Sequence, residues 1–118
     1  MTIDLEIIKP YLLPAGVAAF LLYRYLRFKA VKSSLPRLAA DGAQFVDVRS
    51  PAEFAAGSRP GTINIPLDEL SAGAGKLDKT RPVVLCCASG ARSGIAAGLL
   101  KKMGFTSVTN AGPWQNTI

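Results

Sequence analysis

The 118 residues include no histidine. That absence removes Ser-His and Cys-His catalysis and every histidine metal site together, so any chemistry must rest on cysteine, carboxylates, arginine and the backbone. Cysteine is scarce as well. Cys86 and Cys87 are the only two and are adjacent, so they cannot cross-link a framework, and a disulfide between neighbours is strained. Such usage fits a reducing compartment or a catalytic thiol. There is no internal repeat, and no metal or cofactor is called for. The chain also lacks a basic tract outside its first third: residues 1–42 hold six basic and three acidic groups, and residues 43–118 hold eight and five. The net charge of +6 therefore does not signal nucleic acid, because basic residues matter only where they cluster.

What is abundant is apolar sequence, 49% of the chain, and its surplus lies near the start. Residues 10–23 carry no charge, and apolar residues continue on both sides through Leu5, Ile7, Ile8, Leu26 and Phe28. As a helix, that uncharged run rises only about 21 Å against a bilayer core of roughly 30 Å. A span therefore needs residues 5–28, with Lys9 and Arg24 snorkelling and Tyr11, Tyr23 and Tyr25 near the interfaces. Pro14 either kinks this helix or marks its first turn. A signal peptide has its positive charge ahead of the apolar run, whereas here Asp4 and Glu6 precede it and Arg24, Arg27, Lys29, Lys32 and Arg37 follow. The charge order predicts a single-pass anchor in an inner or cytoplasmic membrane, with the C-terminal part in the cytoplasm and the basic flank meeting lipid headgroups. A helix lying on the membrane or packed on the protein is the competing reading. The division expected is an anchor segment with its basic flank over residues 1–30 and a globular domain over 31–118.

Within that domain, residues 33–42 read as a short helix capped by Ser33 or Ser34 and stopped by Gly42. A strand over 44–48 follows. Ser50-Pro51-Ala52-Glu53 then combines an N-cap, a proline at the first helical position and a capping-box glutamate, and Gly57 ends that helix. The pattern continues with a strand over 62–65, a weak helix over 67–72, a flexible loop over 71–75, a strand over 83–86, a helix over 93–103 closed by Gly104, and a strand over 106–109. Alternating strands and helices predict an α/β fold: a mainly parallel central sheet covered by helices on both faces, with ligands at the carboxyl ends of the strands.

Cys87 falls at such an end. Cys87 to Arg92 is a six-residue loop of small residues, in which consecutive N–H groups can turn inward as an anion-binding nest at a helix N-terminus. That field favours thiolate over thiol. Ser89 offers a hydroxyl, and Gly90 a backbone geometry that a Cβ would hinder. Cys86 should face the other way into the core, with a resolving thiol as its alternative role. Trp114 reads as a core or interface residue.

Asp47-Val48-Arg49-Ser50-Pro51-Ala52-Glu53-Phe54, Gly61-Thr62-Ile63-Asn64-Ile65-Pro66-Leu67, Cys87-Ala88-Ser89-Gly90-Ala91-Arg92-Ser93, and Gly104-Phe105 with Val108 together resemble a single-domain rhodanese over about residues 34–114. The resemblance implies a rhodanese-like α/β fold and a sulfurtransferase. In that family the loop cysteine takes sulfane sulfur from a donor such as thiosulfate or a persulfide, becomes a persulfide, and passes the sulfur to a thiol or cyanide. Carried over, Cys87 is the catalytic residue, Ala88, Ser89, Gly90, Ala91, Arg92 and Ser93 form the substrate loop, and Asp47, Arg49 and Arg59 support it. The implied partners are a small sulfur donor, a thiol acceptor and, through the N-terminal helix, the membrane.

Three departures from the family pattern bear on substrate choice. Gly57-Ser58-Arg59 stands where Gly-His-Ile is frequent, Ala111-Gly112-Pro113-Trp114 replaces a Gly-Gly pair and a longer tail, and the loop has little charge besides Arg92. Two rival functions compete. A phosphatase or arsenate reductase would carry one residue more between cysteine and arginine and would need a general acid. A tethered binding or redox-sensing module would use the fold without turnover.

Overall fold

The computed structural model describes residues 2–118. Four strands, β1 (Gln44–Asp47), β2 (Ile63–Asn64), β3 (Val83–Cys87) and β4 (Val108–Pro113), form one sheet in the order β2-β1-β3-β4, parallel throughout. The two central strands are mostly apolar, with Phe45, Val46, Val83, Val84 and Leu85, because both faces are covered. Every residue of β1 and β3 is buried.

The four helices are α1 (Leu5–Ala40), α2 (Pro51–Ala56), α3 (Leu70–Gly73) and α4 (Ala91–Lys102). On one sheet face Val46, Val83, Leu85 and Cys87 pack with Ala96 and Leu100 of α4 and with Leu70 of α3. On the other, Phe45 and Val84 pack with Leu35 of α1 and with Ala111. Side chains alternate along β3, so the two layers share one strand. Each fully buried leucine, such as Leu70, Leu85 or Leu100, contributes about 1.5–3 kcal/mol of burial.

The last strand, expected over 106–109, lies later, at Val108–Pro113, and two helical segments also differ from the sequence expectation. α1 is a single helix of 36 residues with Pro10, Pro14 and Pro36 inside it, so no new helix begins at residue 33. Ser33 and Ser34 do not cap: their hydroxyls donate back to Ala30 O and Val31 O, each at 2.7 Å, which the helix interior permits. The expected stop is present, with Gly42 at φ +84°. The expected flexible loop over 71–75 is instead helical, a 3-10 turn at Leu67–Glu69, then α3, then a second turn at Ala74–Lys76. Leu70, Ala74 and Leu77 recur at helical spacing and bury themselves in the core. Gly73 serves packing there, since a Cβ would lie 2.8 Å from Cγ2 of Ile65.

The N-terminal part of α1 stands clear of the domain. Leu12, Leu13, Val17, Phe20, Leu21 and Leu22 are all exposed, and the molecule measures 59 Å along its longest axis against 29 and 28 Å across. Its most apolar 18-residue window has a mean hydropathy of 1.6 and no buried residue, so α1 is long and apolar enough to cross a membrane.

Candidate active site

The site forms where β3 ends. Cys87 keeps the alternation of the strand and shares a face with Val83 and Leu85, while a register shift in the pairing with β4 sets two steps of β3 (Leu85 to Cys87) against three of β4 (Asn110 to Pro113). The chain then turns through Ala88, Ser89 and Gly90 into α4. Gly90 takes φ +100°, a left-handed conformation at the N-cap of α4. That turn directs its N–H to Cys87 Sγ at 2.9 Å, while the Ser93 hydroxyl lies 3.3 Å from the same sulfur. Cys87 is wholly buried. Burial pushes its thiol up, but the Ser93 hydroxyl and the N–H groups of Ser93, Ser89 and Gly90 outweigh it, and the thiol sits below its ordinary value.

Asn110, on β4, ties the loop together. Its Oδ1 lies 2.7 Å from Ser93 Oγ and accepts the Gly112 N–H at 2.9 Å, and its Nδ2 donates to Gly90 O at 3.0 Å. The Ser93 proton serves one acceptor at a time, Asn110 Oδ1 or the sulfur. A negative sulfur attracts it more strongly, because hydrogen bonds to charged groups are the stronger ones. Sequence reasoning missed Asn110, although a lone amide near the carboxyl end of a strand beside the loop is the kind of signal that could have found it.

The remaining residues divide into those that reach the loop and those that brace it. Arg92 does not bond to the sulfur. Its two Nη atoms hold Glu53 at 2.8 and 2.9 Å, linking the first turns of α4 and α2. Glu53 also completes the capping box with Ser50. The Arg92 guanidinium, with the Ser50 N–H, holds the Glu53 carboxyl at about 2, far below its ordinary 4.5. The Arg92 charge still couples to Cys87, which helps keep the guanidinium protonated.

A carboxyl held low in the fold favours folding above its unfolded pKa, and that contribution fades as pH falls from about 4.5 toward 2. Glu53→Gln should therefore lose part of its thermal stability relative to wild type near neutral pH, and the two should converge as pH approaches 2. The effect is modest because both side chains are 38% exposed. Melting curves across that pH range measure it.

Asp47 and Arg49 form a buried pair with Nη2 to Oδ2 at 2.7 Å. Arg49 also donates to Gly57 O at 2.6 Å and stacks 5.0 Å from the Trp114 ring, and Asn64 Nδ2 donates to the carbonyls of Asp47 and Arg49. The pair is a brace beneath the turn into α2. Arg59 does not join the loop: it stacks 3.7 Å from the Phe45 ring and donates to Thr117 O at 2.8 Å. Cys86 is buried on the sheet face opposite Cys87, and burial, with Asp47 nearby, pushes its thiol up to about 12. Among the described residues, no three of His, Cys, Asp or Glu come together as a metal site requires.

One wall of the site comes from α1. A groove of about 500 Å³ runs between Phe20, Arg24 and Phe28 on α1 and Ser89, Gly90 and Ile95 at the loop and α4. Arg24 donates to Ser89 O, and Phe28 lies against Gly90 and Gly112, where a Cβ on either would approach its ring to 2.9 Å.

Comparison with known proteins agrees with this geometry. The family model for the rhodanese-like domain matches residues 32–111. The chain belongs to the rhodanese-like family. The thiosulfate sulfurtransferase PspE of Escherichia coli is 39% identical over 85 residues, covering 70% of this chain and 80% of PspE. The uncharacterized protein YqhL of Bacillus subtilis is 43% identical over 68 residues, 58% of this chain, and the chain spans only 54% of YqhL. A crystal structure of a rhodanese-related protein from Thermoplasma volcanium superposes with a TM-score of 0.64 at 30% identity, covering 73% of this chain and 85% of that one. The rhodanese-like fold and its parallel sheet are thereby established.

Proposed function

We propose that this protein is a membrane-tethered sulfurtransferase that carries sulfane sulfur on Cys87. The observation that carries the reading is the cradle: one sulfur at a strand end, met by the Gly90 N–H and the Ser93 hydroxyl, with its thiol held below the ordinary value. Such a site makes a thiolate and also accommodates a persulfide anion.

With thiosulfate as donor, the Cys87 thiolate attacks the sulfane sulfur. The Cys87 S–S bond forms, the bond from that sulfur to the sulfonate breaks, and sulfite leaves with the electron pair. An acceptor thiolate or cyanide then attacks the outer sulfur and displaces Cys87 as thiolate. Negative charge is present at Cys87 or on its outer sulfur at each stage, so the same N–H groups serve both half-reactions. A persulfide donor follows the same course with a thiolate as leaving group. The name of PspE supports thiosulfate as a donor to test first. The test is the mass of the intact protein after incubation with thiosulfate or a persulfide donor: one added sulfur, mapped to Cys87, supports the reading. A wild-type protein that takes no sulfur from either donor refutes it.

The tether is α1. Apolar residues lie all round its N-terminal half and are exposed, the pattern of a membrane span rather than of a surface helix with one apolar stripe. Residues 5–28 do not all lie in the bilayer on this reading, because Phe28 packs on Gly90 and Gly112 of the domain; about twenty helical residues cross a bilayer, and counting from Asp4 brings Arg24 to the far boundary. The excess of basic residues after the span directs the domain to the cytoplasm. Full-length protein should sediment with membranes and resist extraction by high salt or alkali, yielding only to detergent. Release by high salt alone would show that α1 lies on the surface.

A further inference from the structure

We infer that Arg24 of α1 is a positioning residue for Cys87, acting through the single peptide that joins Ser89 to Gly90. The inference rests on Cys87 being the reactive thiol. The carbonyl of that peptide, Ser89 O, accepts from the Arg24 guanidinium. Its N–H, on Gly90, donates to Cys87 Sγ at 2.9 Å. In a trans peptide the C=O and N–H point in opposite directions, so fixing one end aims the other. A cation on the carbonyl also polarises the amide and strengthens the N–H as a donor. Ser89 and Ala88 are exposed, and Asn110 holds the carbonyl on the far side of Gly90, so the Arg24 guanidinium is the group that holds the carbonyl of the Ser89–Gly90 peptide itself.

Phe28, one turn further along α1, completes the arrangement. Its ring packs against Gly90 and Gly112 and lies beneath the Arg24 guanidinium, 5.5 Å from ring centre to guanidinium carbon. The tail is attached to the same turn, as Asn116 Nδ2 donates both to Phe28 O and to Ala111 O at 2.9 Å. The helix is thereby locked in register with the loop.

Other titratable groups near Cys87 are already committed. Arg92 on α4 is paired with Glu53 on α2, Asp47 and Arg49 at the end of β1 are paired with each other, and Cys86 on β3 is buried on the opposite face with a raised thiol. Arg27 lines the same groove as Arg24 but makes no hydrogen bond to the loop.

The test is the pH dependence of Cys87 alkylation by iodoacetamide in full-length protein in detergent, with the modified residue identified by peptide mass. For Arg24→Ala the midpoint should rise by about half a pH unit or more, so that the rate at pH 7 falls about threefold or more while the plateau at high pH is kept. Arg24→Lys, which retains a charged donor, should return the midpoint toward wild type. The change should persist in 1 M salt, where through-space effects are screened within about 3 Å. A midpoint for Arg24→Ala equal to that of wild type overturns the inference, and so does a shift that salt abolishes. Arg24 is only partly buried, on a helix that continues on both sides of it, and circular dichroism of the variant confirms that the fold is retained. Alkylation reads the thiol directly, so a failure here is distinct from a failure to take up sulfur from a donor.

Discussion

Cys87→Ser is expected to abolish sulfur uptake from thiosulfate and to reduce transfer to cyanide or a thiol to background. Serine nearly preserves the shape of the residue, and the Gly90 N–H and Ser93 hydroxyl retain an oxygen to bond. What is lost is the anion: an ordinary cysteine is already a few per cent thiolate at neutral pH and this cradle raises that fraction, whereas an alkoxide is not available without an adjacent base. No histidine exists to act as one. Cys86→Ala is the companion measurement and should leave the adduct in place, because that thiol lies on the other sheet face and is pushed up to about 12. Intact mass after donor treatment, with peptide mapping, decides both. An adduct that persists in Cys87→Ser would move the sulfur to Cys86 and overturn the assignment.

What could be read in the sequence was what is local. The strand, loop and helix around Cys87, and the cap at Ser50 and Glu53, are set by neighbours within a few residues, and the side-chain types needed there are few. What could not be read depends on contacts far apart in sequence. Arg24 and Ser89 are 65 positions apart, and Ser93 and Asn110 are 17 apart. Arg24 was legible as a charge that follows an apolar run, and nothing local connects it to a loop more than half the chain away. Glycine misled once for the same reason: Gly73 and Gly75 resemble a flexible linker until Ile65 is seen to leave no room for a Cβ at 73. Arg59 shows the converse. Its place where the family pattern is departed from suggested a supporting contact at the site, but it stacks on Phe45 and donates to the Thr117 carbonyl instead.

The position of Arg24 joins the two halves of the proposed function. If about twenty residues of α1 cross the bilayer, Arg24 marks both the end of the span and the edge of the catalytic loop. The loop would then face the headgroup layer directly, with no linker between anchor and site. The continuous helix favours this arrangement, since residues 24–40 carry the chain from the membrane boundary onto the sheet without a break. The groove beside α1, lined by Arg24 and Arg27 together with Ser89 and Gly90, would then lie within the basic flank.

Gly90→Ala is expected to disable the cradle while leaving the domain folded. The position has φ +100°, where an L residue is strained by about 1–2 kcal/mol, and the new Cβ would meet Gly112 Cα at 3.1 Å and Phe28 at 2.9 Å. Phe28 is the end of a side chain and can yield, but the Gly112 backbone is held by Asn110 and cannot yield cheaply. Relief comes from rotating the peptide before residue 90, which swings its N–H off the sulfur. A hydrogen bond to a charged group is worth about 1.5–3 kcal/mol, so its loss lowers the thiolate fraction at neutral pH roughly ten- to a hundredfold. The rate of sulfur uptake at pH 7 should fall by that factor and recover partly at high pH. Gly61→Ala is the control, because Gly61 has φ +79° with nothing within 4 Å of a new Cβ and takes no part in the loop. It should carry a similar backbone cost, read as a lower melting temperature, without moving the pH profile of Cys87. Equal profiles for the two variants would mean that the Gly90 N–H does not set the reactivity of the thiol.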